Sequence, residues 1–209
     1  MARPNAGTKG VPRLDREQQI LAVASEEFGT QGYAGTSINT VADRAGISKP
    51  LVYNYFGSKD GLYAACLDRA GAILGDEIER IARGDSVGIE RGLRTLEGMF
   101  AVLAPQPYLW RLSFDPTAPT TGDVADIAAA HTERISKLAH EGVGELLALA
   151  GVTDELDVSA MTATWLGIVD SLMNWWLDHP DQTPEEMMQR VVRLVGALFV
   201  DAGRSDGPA

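Results

Sequence analysis

Apolar residues recur at helical spacing along most of the chain, and the breaks between them divide it into helices. Ile20, Ala24 and Phe28 share one face, Asp15 stands as an N-cap with Gln18 three residues on, and Gly29–Gly32 predicts the stop. Thr36 and Ser37 offer an N-cap for a short helix through Arg44, which Gly46 ends. Ser48 caps a third short helix with Pro50 in its first turn, where a missing N–H costs nothing, and Gly57 breaks it. A long fourth helix follows from a Ser58 cap to the neighbourhood of Arg83. Ser86–Ala104 reads as a fifth, closed by Pro105 and Pro107, and Tyr108–Phe114 as a short sixth before the loop Asp115–Gly122. Asp123–Ala150 carries Ile127, His131, Ile135, Leu138, Val143 and Leu146 at helical spacing, and Val158–Asp178 is apolar on nearly every side. The sequence Thr183-Pro184-Glu185-Glu186 is a capping box with proline at the first helical position, opening a helix whose stripe is Met188, Val191, Val195, Leu198 and Phe199. β-Branched alternation flanking hairpin turns is nearly absent. The pattern predicts an all-α chain of about nine helices without an internal repeat, and disordered ends at Met1–Gly10 and Gly203–Ala209.

Composition narrows the function classes. A chain of 209 residues with 45% hydrophobic and 22% charged residues is long and apolar enough for one or two packed domains. No apolar run reaches the ~18–20 residues of a membrane helix, and the amino terminus lacks the apolar stretch of a secretory signal, so a soluble, cytoplasmic protein is expected. The single cysteine, Cys66, excludes an internal disulfide and a cysteine-based zinc site. His131, His140 and His179 are too scattered for a metal site, and no paired carboxylates, Ser-His-Asp set or glycine-rich phosphate loop stands out. Neither an enzyme nor a cofactor is expected. The net charge of −11 argues against a nucleic-acid partner until the chain is divided. Residues 1–62 sum to +1 and residues 63–209 to −12, so the amino-terminal part alone is compatible with a polyanion.

That part holds the most informative stretch, Thr36–Lys59, TSINTVADRAGISKPLVYNYFGSK. Two short helices joined by a tight turn at Ala45-Gly46-Ile47 read as a helix-turn-helix. Ala42 is small enough for the helices to approach closely, and Gly46 supplies the left-handed backbone of the turn. Val41, Ile47 and Val52 fill the mini-core beneath it. Ser48 caps the second helix, whose free N–H groups can meet a phosphate, and a helix of this size fits the major groove.

The wider pattern runs Ile20-Leu21-x-x-Ala24-x-x-x-Phe28-x-x-x-Gly32-Tyr33, then Thr36-Ser37-Ile38-x-x-Val41-Ala42-x-x-Ala45-Gly46-Ile47-Ser48, then Leu51-Val52-Tyr53-x-Tyr55-Phe56-x-Ser58-Lys59-Asp60-x-Leu62. It resembles the TetR family, the tetracycline-repressor-like bacterial regulators. The resemblance implies a three-helix DNA-binding domain over 1–62 and a helical effector-binding and dimerisation domain over 63–209. It implies that Thr36 and Ser37 meet a phosphate, and that Ser48, Lys49 and Pro50 open the recognition helix, with Lys49 and Pro50 at base edges. Tyr53 matches a tyrosine whose hydroxyl reaches the DNA backbone, Asn54 lies beside it, and Tyr55 replaces the commoner histidine. Leu51 stands where many members carry a hydroxyl, and Lys59 matches a lysine that pairs with a phosphate. The basic arm Arg3, Lys9 and Arg13 reads equally as a DNA contact or a solvated tail.

The resemblance further implies a homodimer on a palindromic double-stranded operator, joined through the last two helices, and a repressor released by a small-molecule ligand. Phe100, Leu103, Trp110, Phe114, Met161 and Trp165 are its candidate contacts, suited to an apolar or aromatic effector. Arg111 and Asp115 are candidates to fix a polar group of it, or simply to pair with each other. Trp175 and Trp176 point about 100° apart as helix neighbours, so core or interface packing is the better reading of the pair. The competing readings are an effector-independent activator or architectural DNA-binding protein, and a helical enzyme or carrier.

Overall fold

The structure, a computed structural model, describes residues 12–200, the last three by backbone alone. Among the described residues the chain is helical, with no strand. The helices are α1 (Arg13–Gly35), α2 (Ile38–Arg44), α3 (Lys49–Phe56), α4 (Lys59–Ala82), α5 (Gly88–Leu103), α6 (Tyr108–Ser113), α7 (Asp123–Leu149), α8 (Glu155–Leu177) and α9 (Pro184–Val200). The expected arm residues Arg3 and Lys9, both expected disordered ends and the side chains of Leu198 and Phe199 lie outside the described residues. No described helix is long and apolar enough to cross a membrane.

Several helix ends differ from the sequence pattern, some through local caps and one through a distant segment. α1 starts at Arg13 with Pro12 as N-cap, so Asp15 sits inside the first turn, favoured by the helix dipole rather than capping it. α1 also continues through Gly29 to Gly35. Gly29 stays helical because the backbone of α6 lies against it: a Cβ there would stand 2.2 Å from the Tyr108 carbonyl oxygen. The break falls instead at Gly32, at φ 73° and ψ 167°, a backbone conformation that side-chain-bearing residues rarely adopt. α5 begins at Gly88, two residues after Ser86, whose carbonyl accepts from Arg91 Nε at 2.7 Å. α8 begins before Val158 because Asp154 caps it, accepting the Leu156 N–H at 2.7 Å. The α9 capping box forms as the sequence indicates: Thr183 N–H donates to Glu186 Oε2 at 2.9 Å, and Glu186 N–H to Thr183 Oγ1 at 3.2 Å.

The chain packs as two compact units, one running to Ile73 and including Gln106–Glu133, the other comprising Leu74–Pro105 and the chain from Arg134 onward. Compactness therefore divides α4 internally and assigns α6 to the first unit, a different cut from a division by task at residue 62. In the first unit Ile20, Ala24, Phe28, Val41, Val52, Leu62 and Tyr63 are fully buried. Tyr63 stands edge-on to Phe28 at 4.9 Å and donates its hydroxyl to the Leu112 carbonyl at 2.8 Å, which pushes no polar atom out of the core. In the second unit Phe100, Leu103, Met173 and Met187 are fully buried. There the two tryptophans separate as their spacing requires. Trp176 is buried edge-on to Phe100 at 5.1 Å with its indole N–H on the Gln182 carbonyl at 2.8 Å, while Trp175 is 37% exposed and stacked on His179 at 3.8 Å.

Gly29→Ala is expected to force α6 off α1 and to destabilise the fold by about 1–3 kcal/mol, as overpacking against an immovable backbone does. Thermal unfolding of the variant beside the parent checks it, and an unchanged midpoint refutes the contact.

Candidate nucleic-acid interface

The turn between α2 and α3 is built from backbone bonds and a small apolar plug. Gly46, at φ 67°, donates to the Asp43 carbonyl at 3.2 Å, and Ile47 N–H reaches the Ala42 carbonyl at 3.0 Å. Val41, Ala42, Ala45 and Val52 are buried under it. Gln19 of α1 donates from Nε2 to the Ala45 carbonyl at 3.0 Å, tying the turn to the first helix. Arg44 clamps α2 to α1 through Glu26 at 2.8 Å and Glu27 at 2.5 Å, bonds that hold its guanidinium still more firmly protonated. This cation is committed to the scaffold.

With Val52 inward, α3 turns Lys49, Pro50, Tyr53 and Asn54 outward, and these positions share one helical face. Leu51 and Tyr55 are half-buried at its margins. Tyr53 is 39% exposed, and the Lys49 ammonium lies 5.9 Å from its ring centroid. Arg13, expected in a basic arm, belongs to α1 and sets its guanidinium 5.2 Å over the Tyr55 ring. Ser48 is exposed at the N-cap of α3 and makes no side-chain bond to the helix, contrary to the capping expected of it. Pro50 has no N–H, and that of Leu51 goes to the Ser48 carbonyl at 3.0 Å, so the helix terminus offers fewer donors than anticipated.

Two expected phosphate contacts fare differently. Ser37 is exposed and caps α2, accepting the Thr40 N–H at 3.1 Å. Thr36 is 3% exposed, and its hydroxyl donates inward to the Gly32 carbonyl at 2.8 Å, closing the end of α1. Its side chain faces the protein. Lys59, at the start of α4, holds its ammonium 4.3 Å from the centroid of the Tyr33 ring. The Tyr33 hydroxyl donates to the Asp60 carboxylate, and that bond, more than burial, pushes the phenol up to about 12.

In the sequence Tyr33 shows only its position after Gly32, which points to no role. Its backbone N–H donates to Asp115 Oδ2 at 2.5 Å, and the next, Ala34 N–H, to Thr117 Oγ1 at 3.1 Å. Asp115 is thus a clasp on the end of α1, with Oδ1 accepting from Thr117 at 2.8 Å, rather than a group poised for a ligand.

The six candidate effector contacts fall in both units. In the first, Trp110 is buried with no acceptor for its indole N–H and lies 4.5 Å from the ring of Phe114, which is 54% exposed. In the second, Phe100 and Leu103 are core residues, Met161 is exposed, and Trp165 is half-buried with its ring edge beside Gly92. The open groove of about 500 Å³ between α5 and α9, lined by Leu93, Met188, Val192 and charged side chains, contains none of the six.

Residues 20–66 match the model of the bacterial regulatory proteins of the tetR family. The chain is 33% identical over 134 residues to the HTH-type transcriptional activator FasR of Mycolicibacterium smegmatis, covering 63% of this chain and 61% of that protein, under two thirds of its length. A TetR-like transcriptional regulator from Rhodococcus sp. RHA1 superposes with a TM-score of 0.67 at 25% identity, over 93% of this chain and 100% of the other. The regulator FadR of Bacillus subtilis, solved in complex with stearoyl-CoA, shares the fold at a TM-score of 0.66 and 15% identity, over 82% and 95% of the two chains.

Proposed function

We propose, from the premise that this chain belongs to the tetR family of bacterial regulatory proteins, that it is a cytoplasmic, dimeric, sequence-specific DNA-binding transcriptional regulator. The observation that carries the reading is the α3 face on which Lys49, Pro50, Tyr53 and Asn54 stand exposed over a buried Val52. Outward side chains at the start of such a helix suit base edges in the major groove, and flanking cations and hydroxyls suit phosphates. In this reading Lys49 and Pro50 meet bases, while Ser37, Ser48, Tyr53 and Lys59 meet the backbone. Leu51 and Tyr55 contribute apolar contact at the margin. Thr36 acts only through the α1 terminus it closes.

A second copy of the chain is the partner proposed for α8 and α9. Met161, Ile168 and Trp175 are exposed at intervals of seven residues on α8, interleaved with the exposed small residues Ala160, Thr164, Gly167 and Ser171, and no charge interrupts the line. Val192 and Leu194 of α9 are exposed as well. Two-fold pairing would present two α3 helices about one turn of DNA apart, matching a palindromic operator.

The regulator is read as a repressor released by an apolar or aromatic effector, for which Trp110 and Phe114 are candidate contacts in the first unit and Phe100, Leu103, Met161 and Trp165 are candidates in the second. The buried indole N–H of Trp110 without an acceptor supports a ligand oxygen there, and the stearoyl-CoA complex of the Bacillus subtilis protein is a precedent for an apolar chain in this fold. Release requires tighter effector binding to the DNA-incompetent state. One observation favours a second reading: FasR is named an activator, so the sign of regulation is the alternative, with or without an effector.

Selection of bound duplex from random sequence should recover a palindrome. On it, Lys49→Ala should relax preference at one position per half-site, by about 1–3 kcal/mol, whereas Lys59→Ala should weaken all sequences alike and flatten the salt dependence. Uniform loss for Lys49→Ala would reduce that residue to a phosphate contact. For the pairing of chains, Ile168→Asp is expected to yield monomers or insoluble protein by light scattering, and a folded monomer of the parent chain at micromolar concentration refutes it. Trp110→Ala and Trp165→Ala, made separately, should keep affinity for the selected duplex and lose its release by long-chain acyl-CoA or aromatic acids. Unfolding of both variants would assign these tryptophans to packing alone.

A further inference from the structure

The contact between Lys59 and Tyr33 does more than pack two side chains. A lysine that meets a phosphate has a flexible four-carbon stem to immobilise, and here it is followed directly by a carboxylate, Asp60, able to neutralise it. Tyr33 answers both difficulties with one ring. Its face lies 4.3 Å beneath the Lys59 ammonium, and its hydroxyl donates to Asp60. The cation is held by the π-face while the neighbouring anion is engaged elsewhere.

The ring itself has little freedom. It follows the Gly32 kink at φ 73°, its own N–H is held by Asp115 at 2.5 Å, and the following N–H by Thr117 at 3.1 Å. It stands edge-on to Tyr63 at 5.2 Å and parallel to Phe28 at 6.3 Å. Tyr63 is in turn anchored through its hydroxyl to the Leu112 carbonyl at 2.8 Å. A cation resting on so fixed a platform is presented to DNA with part of its ordering cost already met.

We propose that Tyr33 is a positioning residue for DNA binding, holding Lys59 in place over its ring and keeping Asp60 from pairing with it. The inference rests on the reading of Lys59 as a phosphate contact. It assigns Tyr33 no contact with DNA of its own. Loss of the ring therefore matters only while Lys59 is present.

The test is a double-mutant cycle on the full-length chain, with affinity for the duplex recovered by selection measured across a salt series. Tyr33→Leu is expected to weaken binding about two- to fivefold, the scale of one exposed cation–π contact, and to make the salt dependence shallower. In the Lys59→Ala background the same substitution should change neither quantity. Tyr33→Phe, which keeps the ring but frees Asp60 to pair with Lys59, should lose less affinity than Tyr33→Leu and more than nothing, and its loss too should vanish in the Lys59→Ala background. Equal losses from Tyr33→Leu in both backgrounds would overturn the proposal and leave Tyr33 a packing residue. If Lys59→Ala itself leaves affinity and salt dependence unchanged, the phosphate reading of Lys59 falls and the proposal with it. Thermal unfolding accompanies each variant. Should Tyr33→Leu not fold, Tyr33→Met, which fills the volume without a π-face, takes its place under the same criteria.

Discussion

The packing of the first unit depends on one backbone touching another at Gly29. α6 comes so close to α1 there that the Tyr108 carbonyl occupies the space of a missing side chain. Only because α6 is seated this tightly does the segment that follows it, Asp115–Thr117, reach the end of α1 and bind the N–H groups of Tyr33 and Ala34. The kink at Gly32 directs the chain into Thr36, whose hydroxyl seals α1, and Ser37, whose hydroxyl starts α2. The helix-turn-helix thus inherits its placement from a helix that begins 52 residues beyond its last residue.

The chain is acidic overall, and its amino-terminal part carries few cations. Four cations of this region follow a division of labour. Arg44 is tied to Glu26 and Glu27 and fixes α2 against α1, and Arg13 lies over Tyr55. Lys49 and Lys59 each lie over a tyrosine, at the two ends of the candidate interface. Aromatic support leaves an ammonium its full charge, whereas a carboxylate partner would cancel it. Tyrosines near the lysines therefore matter electrostatically as well as sterically.

The sequence was most legible where structure is local. The turn at Gly46, the buried Val41 and Val52, and the reciprocal bonds between Thr183 and Glu186 all follow from residues within a few positions of one another. Legibility failed where a distant segment decides the outcome. Gly29 and Gly32 look alike in sequence, yet one makes room for a backbone and the other bends the chain. Thr36 reads as a surface hydroxyl and is buried. Asp115 reads as a partner for an adjacent arginine or a ligand and instead reaches across 82 positions to Tyr33. The separation of Trp175 from Trp176 was foreseeable from helix geometry, whereas which of the two would be buried depended on Phe100 and Gln182.

The burial of Cys66 has a practical consequence. Its thiol is wholly enclosed in the first unit, donates to the Leu21 carbonyl at 3.9 Å, and is pushed up to about 12 by burial. With neither access nor a thiolate, it is inert to alkylating reagents in the native state. Because the chain has no other cysteine, every alkylation event records an opening of that core. Under conditions where reclosing outpaces the reagent, the labelling rate divided by that of a free thiol is the equilibrium constant for opening. The protein carries its own clock for the breathing of its first unit, readable by mass without any engineered probe.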